Sequence, residues 1–174
     1  CQGPTFTYTV TNYPMPNVSF NPQSSSPCAL NYNFINNSSI ASGNITSYTW
    51  SLGNNTTSNL TSPTAVYPMY GTYNVSLSAT SNFGCTNTAV NTLTIHPAPI
   101  PSFAGNNVCQ SSLITFTNTS SIPVGSIVSY NWNLANLQNS NLTNPSTQYT
   151  SPGSKTVTLT AVSNLGCTAS YTGV

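Results

Sequence analysis

The chain has no aspartate, no glutamate, no arginine and one lysine, Lys155. A globular chain of 174 residues ordinarily carries roughly 25% charged residues. Here the figure is 1%, so whole classes of chemistry fall away. Without carboxylates there is no glycosidase pair, no aspartic dyad and no calcium or magnesium site built on acidic side chains. One lysine is not the basic face that a nucleic acid requires. No apolar run approaches the ~20 residues of a membrane-spanning helix. No charged-then-apolar leader opens the chain, so the sequence reads as a mature segment at most.

What is present is amide and hydroxyl. Asparagine, serine and threonine number 25, 27 and 27, together 79 of 174 residues. A surface of these groups is close to neutral, which favours association unless sugars or geometry oppose it.

Internal repetition decides the fold class. Tyr48-Thr49-Trp50 returns as Tyr130-Asn131-Trp132, and Asn59-Leu60-Thr61-Ser62-Pro63 returns as Asn141-Leu142-Thr143-Asn144-Pro145, both at an offset of 82. Ser81-Asn82-Phe83-Gly84-Cys85 matches Ser163-Asn164-Leu165-Gly166-Cys167 at the same offset. Within each copy the hydropathy alternates with period two, over Thr72 to Ala79, Thr86 to Ile95, Leu113 to Thr119 and Lys155 to Val162. Such runs, rich in β-branched and aromatic residues and broken by Pro, Gly and Asn, predict strands. No segment has a helical stripe. The expectation is all-β: two tandem β-sandwich or barrel domains of about 82 residues, with Trp50 and Trp132 at the centres of their cores. Pro14-Met15-Pro16 recurs as Pro97-Ala98-Pro99, which predicts a short stiff link before each copy.

Trp50-Ser51-Leu52-Gly53-Asn54-Asn55 and the later block from Tyr67 through Gly71 and Tyr73 to Val75 resemble the PKD domain, whose hallmark is W-D-F-G-D-G. The second copy has Trp132-Asn133-Leu134-Ala135, losing the glycine, and carries Lys155 at the second tyrosine of the later block. The resemblance covers nearly the whole chain. It implies that the two tandem domains are immunoglobulin-like β-sandwiches, that the protein is a bacterial surface or secreted one, and that its role is spacing or adhesion more than an activity. The domains expected are 14–97 and 98–174, preceded by residues 1–13, which resemble the last strand of a preceding or neighbouring domain.

Five cysteines, at 1, 28, 85, 109 and 167, allow many pairings. The repeat points to Cys28 with Cys85 and Cys109 with Cys167, each closing nearly sixty residues and worth about 4 kcal/mol in the chain-entropy model. Disulfides imply an oxidising, extracellular setting. No CxxC pair exists, so no metal site is expected. Cys1 is left over. Either it pairs with upstream sequence of a longer array, or it forms an intermolecular bond while strand 1–10 completes a neighbouring subunit.

Asn-x-Ser/Thr sequons are frequent, and two pairs recur in phase: Asn36 with Asn118, and Asn59 with Asn141. These are the candidate glycosylation sites. No catalytic residue, cofactor or metal is expected. His96 stands in the linker without an orienting group, Lys155 reads as a solvated strand lysine, and the tyrosines read as packing rather than a sugar platform. The function expected is a structural subunit or segment of an extracellular filament or stalk at the bacterial cell surface. Its partners would be copies of itself or adjacent repeats, with covalently attached glycans. The alternatives are an adhesin segment binding carbohydrate or protein, and a spacer of a secreted enzyme.

Overall fold

The computed structural model describes residues 3–135 and 137–174. Fifteen strands and no helix are found among them. In the first repeat one sheet is formed by β1 (Phe20–Gln23), β2 (Asn31–Asn36) and β5 (Thr64–Val66), in the order β1-β2-β5. The other is formed by β3 (Ile45–Ser51), β4 (Thr57–Ser58), β6 (Gly71–Ser81) and β7 (Thr86–Ile95), in the order β4-β3-β6-β7.

The second repeat uses the same plan. β11 (Ile127–Asn133), β12 (Asn139–Ser140), β14 (Val157–Ser163) and β15 (Thr168–Gly173) form a sheet in the order β12-β11-β14-β15. The facing layer is split into two ladders. β8 (Phe103–Ala104) pairs with β10 (Thr117–Asn118), and β9 (Leu113–Thr115) pairs with β13 (Ser146–Gln148). The run expected from Leu113 to Thr119 is therefore interrupted at the buried Phe116, where the chain changes ladder partner. The run expected from Lys155 begins instead at Val157.

Register follows the hydropathy pattern, because a one-residue slip would turn every inward side chain outward. Trp50 lies opposite Leu77, and Trp132 opposite Leu159. All four are fully buried. Each indole Nε1 donates to a backbone carbonyl ten residues on, Leu60 or Leu142, both at 2.9 Å. Phe20 meets Trp50 edge-on at 5.0 Å, and Phe103 meets Trp132 at 5.1 Å. Phe116, Leu134, Val157 and Leu159 complete the second core. A β-bulge falls at Ile45/Ser47 and again at Ile127/Ser129, so even the irregularities repeat.

The chain forms two compact units whose limits do not follow the repeats. One takes the described part of residues 1–23 with 31–66 and 73–93. The other takes 24–30, 67–72 and 94–174. The second unit thus includes two segments from the first repeat's sequence, 24–30 and 67–72, the latter reaching into the start of β6.

Candidate functional site: the cysteine-bearing ends of the repeats

No group of three or more metal-ligating side chains gathers among the described residues. His96 is half-buried, and its backbone N–H donates to the Pro27 carbonyl at 3.0 Å. Lys155 Nζ lies 3.0 Å from Ser151 Oγ and 5.7 Å from the centre of the Tyr149 ring, an exposed cation–π contact. Burial pushes the Tyr149 phenol above the ordinary tyrosine range, and its hydroxyl donates to Leu134 O at 2.7 Å. The tyrosines considered for a sugar platform differ in environment: Tyr67 is buried, Tyr13 stacks on Phe83 at 4.1 Å, and Tyr8 is almost wholly exposed.

The cysteines carry the distinctive chemistry. Cys28 is bonded to Cys167, with Cα atoms 5.7 Å apart across a sequence separation of 139. That Cα distance is ordinary for a disulfide. Cys85 and Cys109 are free thiols. The pairs expected within each repeat, Cys28 with Cys85 and Cys109 with Cys167, are therefore not formed; the bond joins the first repeat's sequence to the second's. Cys1 lies outside the described residues.

Strand direction explains the correction. In the second repeat Cys109 precedes β9, and the chain then runs through β9 and β10 to the loop after Asn118. That loop holds the turn bearing Cys167: Asn164 N–H donates to Ser126 O and Asn164 Oδ1 accepts from Ser126 N–H, both at 2.9 Å. Cys109 and Cys167 are thus separated by the run 113–118, about 20 Å at ~3.3 Å per residue, where a disulfide tolerates a Cα separation of about 7 Å at most. The two cysteine positions of a repeat belong to opposite poles. The Cys28 position stands at one pole and the Cys167 position at the other, so only different repeats can join them.

The poles also differ in exposure. Cys167 is fully buried, whereas Cys85, its equivalent, is half-exposed with Sγ 4.0 Å from the Tyr13 carbonyl. Cys28 is half-buried, whereas Cys109, its equivalent, is exposed within a fully exposed run from Ala104 to Leu113.

Beside Cys109 the second repeat has an open groove of about 660 Å³, lined by Phe103, Phe116, Tyr149, Lys155 and Tyr171 among others. β15 reaches Gly173, opposite Val157. The equivalent of Gly173 in β7 is Asn91, and β7 continues through Thr92, Leu93, Thr94 and Ile95, of which Leu93 and Ile95 are buried. Residues 153–156 are not in a ladder, whereas their equivalents open β6. The sequence pattern gave no sign of this groove, because Lys155 to Val162 alternates as regularly as Tyr73 to Thr80.

Residues 3–13 belong to no ladder. Phe6, Tyr8 and Val10 alternate along this arm and are 92%, 94% and 83% exposed. Of the sequon asparagines, Asn59 and Asn141 are exposed, while the side-chain amide nitrogens of Asn36 and Asn118 are buried and have no hydrogen-bond partner.

Comparison with known proteins places this architecture. The chain is 35% identical over 102 residues to the pre-pro-metalloprotease PrtV of Vibrio cholerae, in each of two strains, covering 58% of this chain and 11% of that protein. The chain thus spans about a tenth of the length of the curated relatives it matches. Among solved structures, the PKD1 domain of Vibrio anguillarum Epp shares 30% identity over 48% of this chain and 96% of its own, with a TM-score of 0.46. The PKD1 domain of Vibrio cholerae PrtV shares 32% identity over 48% of this chain and 98% of its own, with a TM-score of 0.43. The relationship to part of a pre-pro-protease and the disulfide are both in keeping with an extracellular setting. The PKD domain family profile matches residues 12–95 and again 96–173, and the chain belongs to that family as a tandem pair of PKD domains.

Proposed function

We propose that this chain is a non-enzymatic structural segment of an extracellular filament or stalk at a bacterial cell surface, growing head to tail from PKD repeats. The division is 1–13 as a donated strand, 14–97 as the first domain and 98–174 as the second. The observation that carries the reading is the Cys28–Cys167 bond, which ties one repeat to the next rather than closing a repeat on itself. A bond so placed resists extension along a row of domains.

Strand exchange supplies the assembly contact. The exposed arm, with Phe6, Tyr8 and Val10 on one face, has the alternation of a last strand. The groove of the second domain presents the apolar rings of Phe103 and Phe116 beside residues 153–155. A strand added at such an edge gains main-chain hydrogen bonds and buries alternate side chains. Asn59 and Asn141, exposed at equal phase, are the positions for N-linked sugars; a sugar on Asn36 or Asn118 would have to leave through a buried amide nitrogen.

The test is electron microscopy of native material and of the chain lacking residues 1–12. The full chain is expected to form fibres and the shortened chain only particles, with the same β circular dichroism. Particles alone from the full chain at high concentration refute the filament reading; fibres from the shortened chain refute strand exchange.

A further inference from the structure

We infer that the two free thiols are the open ends of a repeating staple, and that Cys109 of one copy forms a disulfide with Cys85 of a second copy docked head to tail. The inference rests on the filament reading and names the bond that would hold its junctions.

The argument uses the repeat as a ruler. Cys28 and Cys109 occupy one position of the PKD repeat, and Cys85 and Cys167 occupy the other. The observed bond joins the first kind of position in one repeat to the second kind in the following repeat. Applied once more, that rule gives Cys109 a partner of the Cys85 kind from a following repeat. It gives Cys85 a partner of the Cys109 kind from a preceding one. One copy of this chain offers both halves. A head-to-tail contact of this sort does not close on itself and propagates.

The surroundings of the free thiols agree. Where the staple is formed, its loop is held: Pro27 O accepts from His96 N–H at 3.0 Å, and Cys167 is fully buried. Where it is not formed, the same loop is bare, with Val108 44% exposed beside exposed Cys109. At the opposite pole, Phe83 and Tyr13 stack beside Cys85 and remain 36% and 45% exposed. The stacked pair stands at the equivalents of Leu165 and His96. Each free thiol therefore sits in a partly apolar patch that is the unoccupied version of one side of an existing junction.

Bond formation needs an oxidant, and a low-molecular-weight disulfide serves. The Cys109 thiolate attacks it and releases one small thiol, leaving a mixed disulfide. The Cys85 thiolate of the second copy attacks the Cys109 sulfur and releases the second small thiol. Two protein thiols are oxidised, one small disulfide is reduced, and no other reactant is required.

The experiment uses the full chain, refolded with glutathione and its disulfide, followed by non-reducing electrophoresis, peptide mass mapping and electron microscopy. A ladder is expected, with a Cys109–Cys85 linked peptide alongside Cys28–Cys167. Cys85→Ser and Cys109→Ser should each reduce species above monomer at least tenfold while keeping Cys28–Cys167. Mixing the two variants should give a dimer and nothing larger, because each then carries one open end. Linkage of Cys109 to Cys1, to another Cys109, or to Cys85 of its own chain overturns the inference. Fibres whose Cys85 and Cys109 remain reduced overturn it and leave the filament reading standing. Absence of both ladder and fibres refutes both.

Discussion

Gly53 and Ala135 occupy one turn position in the two repeats, and the pair makes an internally controlled experiment. Both are in the left-handed region, with φ of 77° and 64°. The turn demands it: Leu52 N–H donates to Thr56 O at 3.0 Å, as Leu134 N–H does to Gln138 O at 2.8 Å. A side chain in that conformation costs about 1–2 kcal/mol. At Gly53 a Cβ would also stand 2.7 Å from the backbone oxygen of Asn74, an overlap that neither backbone yields cheaply. Overpacking of this kind costs about 1–3 kcal/mol, while replacing Gly by Ala returns ~0.4–1 kcal/mol through the unfolded chain. Gly53→Ala should therefore destabilise the first repeat by about 3 kcal/mol, whereas Ala135→Gly, by the same terms without the overlap, should stabilise the second by ~0.5–1 kcal/mol. Each repeat has its own reporter, the indole N–H of Trp50 or Trp132, buried and bonded to a carbonyl. Native-state exchange of those protons reads the opening free energy of each repeat separately. A neutral Gly53→Ala, or two substitutions that shift stability in the same direction, would refute the reasoning.

Two further outcomes follow from the same geometry. Reducing Cys28–Cys167 should cost up to ~5 kcal/mol by the chain-entropy relation for the observed separation, against about 4 for a bond within one repeat; denaturant unfolding of Cys28→Ser against the parent measures it, and an unchanged midpoint would contradict the pairing. Stability should be insensitive to acid, because there is no side-chain carboxylate to protonate. It should fall at alkaline pH: Tyr149 has a raised pKa in the fold, so its contribution is complete below the ordinary tyrosine pKa and is lost as pH rises through the higher folded value, and Tyr149→Phe should flatten that limb.

The β architecture, the two-fold repetition and both core tryptophans were legible because each rests on local alternation or on self-similarity. Thr86 to Ile95 is a strand with the bounds its pattern predicts. The disulfide pairing was not legible from the repeat alone. Translation by 82 residues leaves a bond within a repeat and a bond between repeats equally regular. The pole of the sandwich at which each cysteine stands distinguishes them, and that depends on strand direction. The groove beside Lys155 escaped for a different reason. Its lining comes from segments far apart in sequence, Phe103, Phe116, Tyr149 and Lys155 among them, which no local alternation brings together. Ala135 shows the converse, since the turn keeps its left-handed residue after losing the glycine that signals it.

The missing charge bears on how the sheets are held together and on the strand exchange proposed above. Cross-strand positions that often hold ion pairs here hold hydroxyls: Thr80 with Thr86 at 3.0 Å, Thr158 with Thr172 at 3.0 Å, Thr160 with Ser170 at 2.8 Å and Thr115 with Ser146 at 2.7 Å. Such pairs give up little when salt or pH changes, since neither partner titrates or is screened. They also leave the sheet edges without the lysines that commonly discourage edge-to-edge pairing. The one lysine in the sequence stands at the unpaired segment 153–156, beside the groove. An incoming strand must leave room for that ammonium group, held toward Ser151 and the Tyr149 ring. A strand whose outward positions are threonines, as Thr5, Thr7 and Thr9 are in the arm, meets it with hydroxyl acceptors and no like charge.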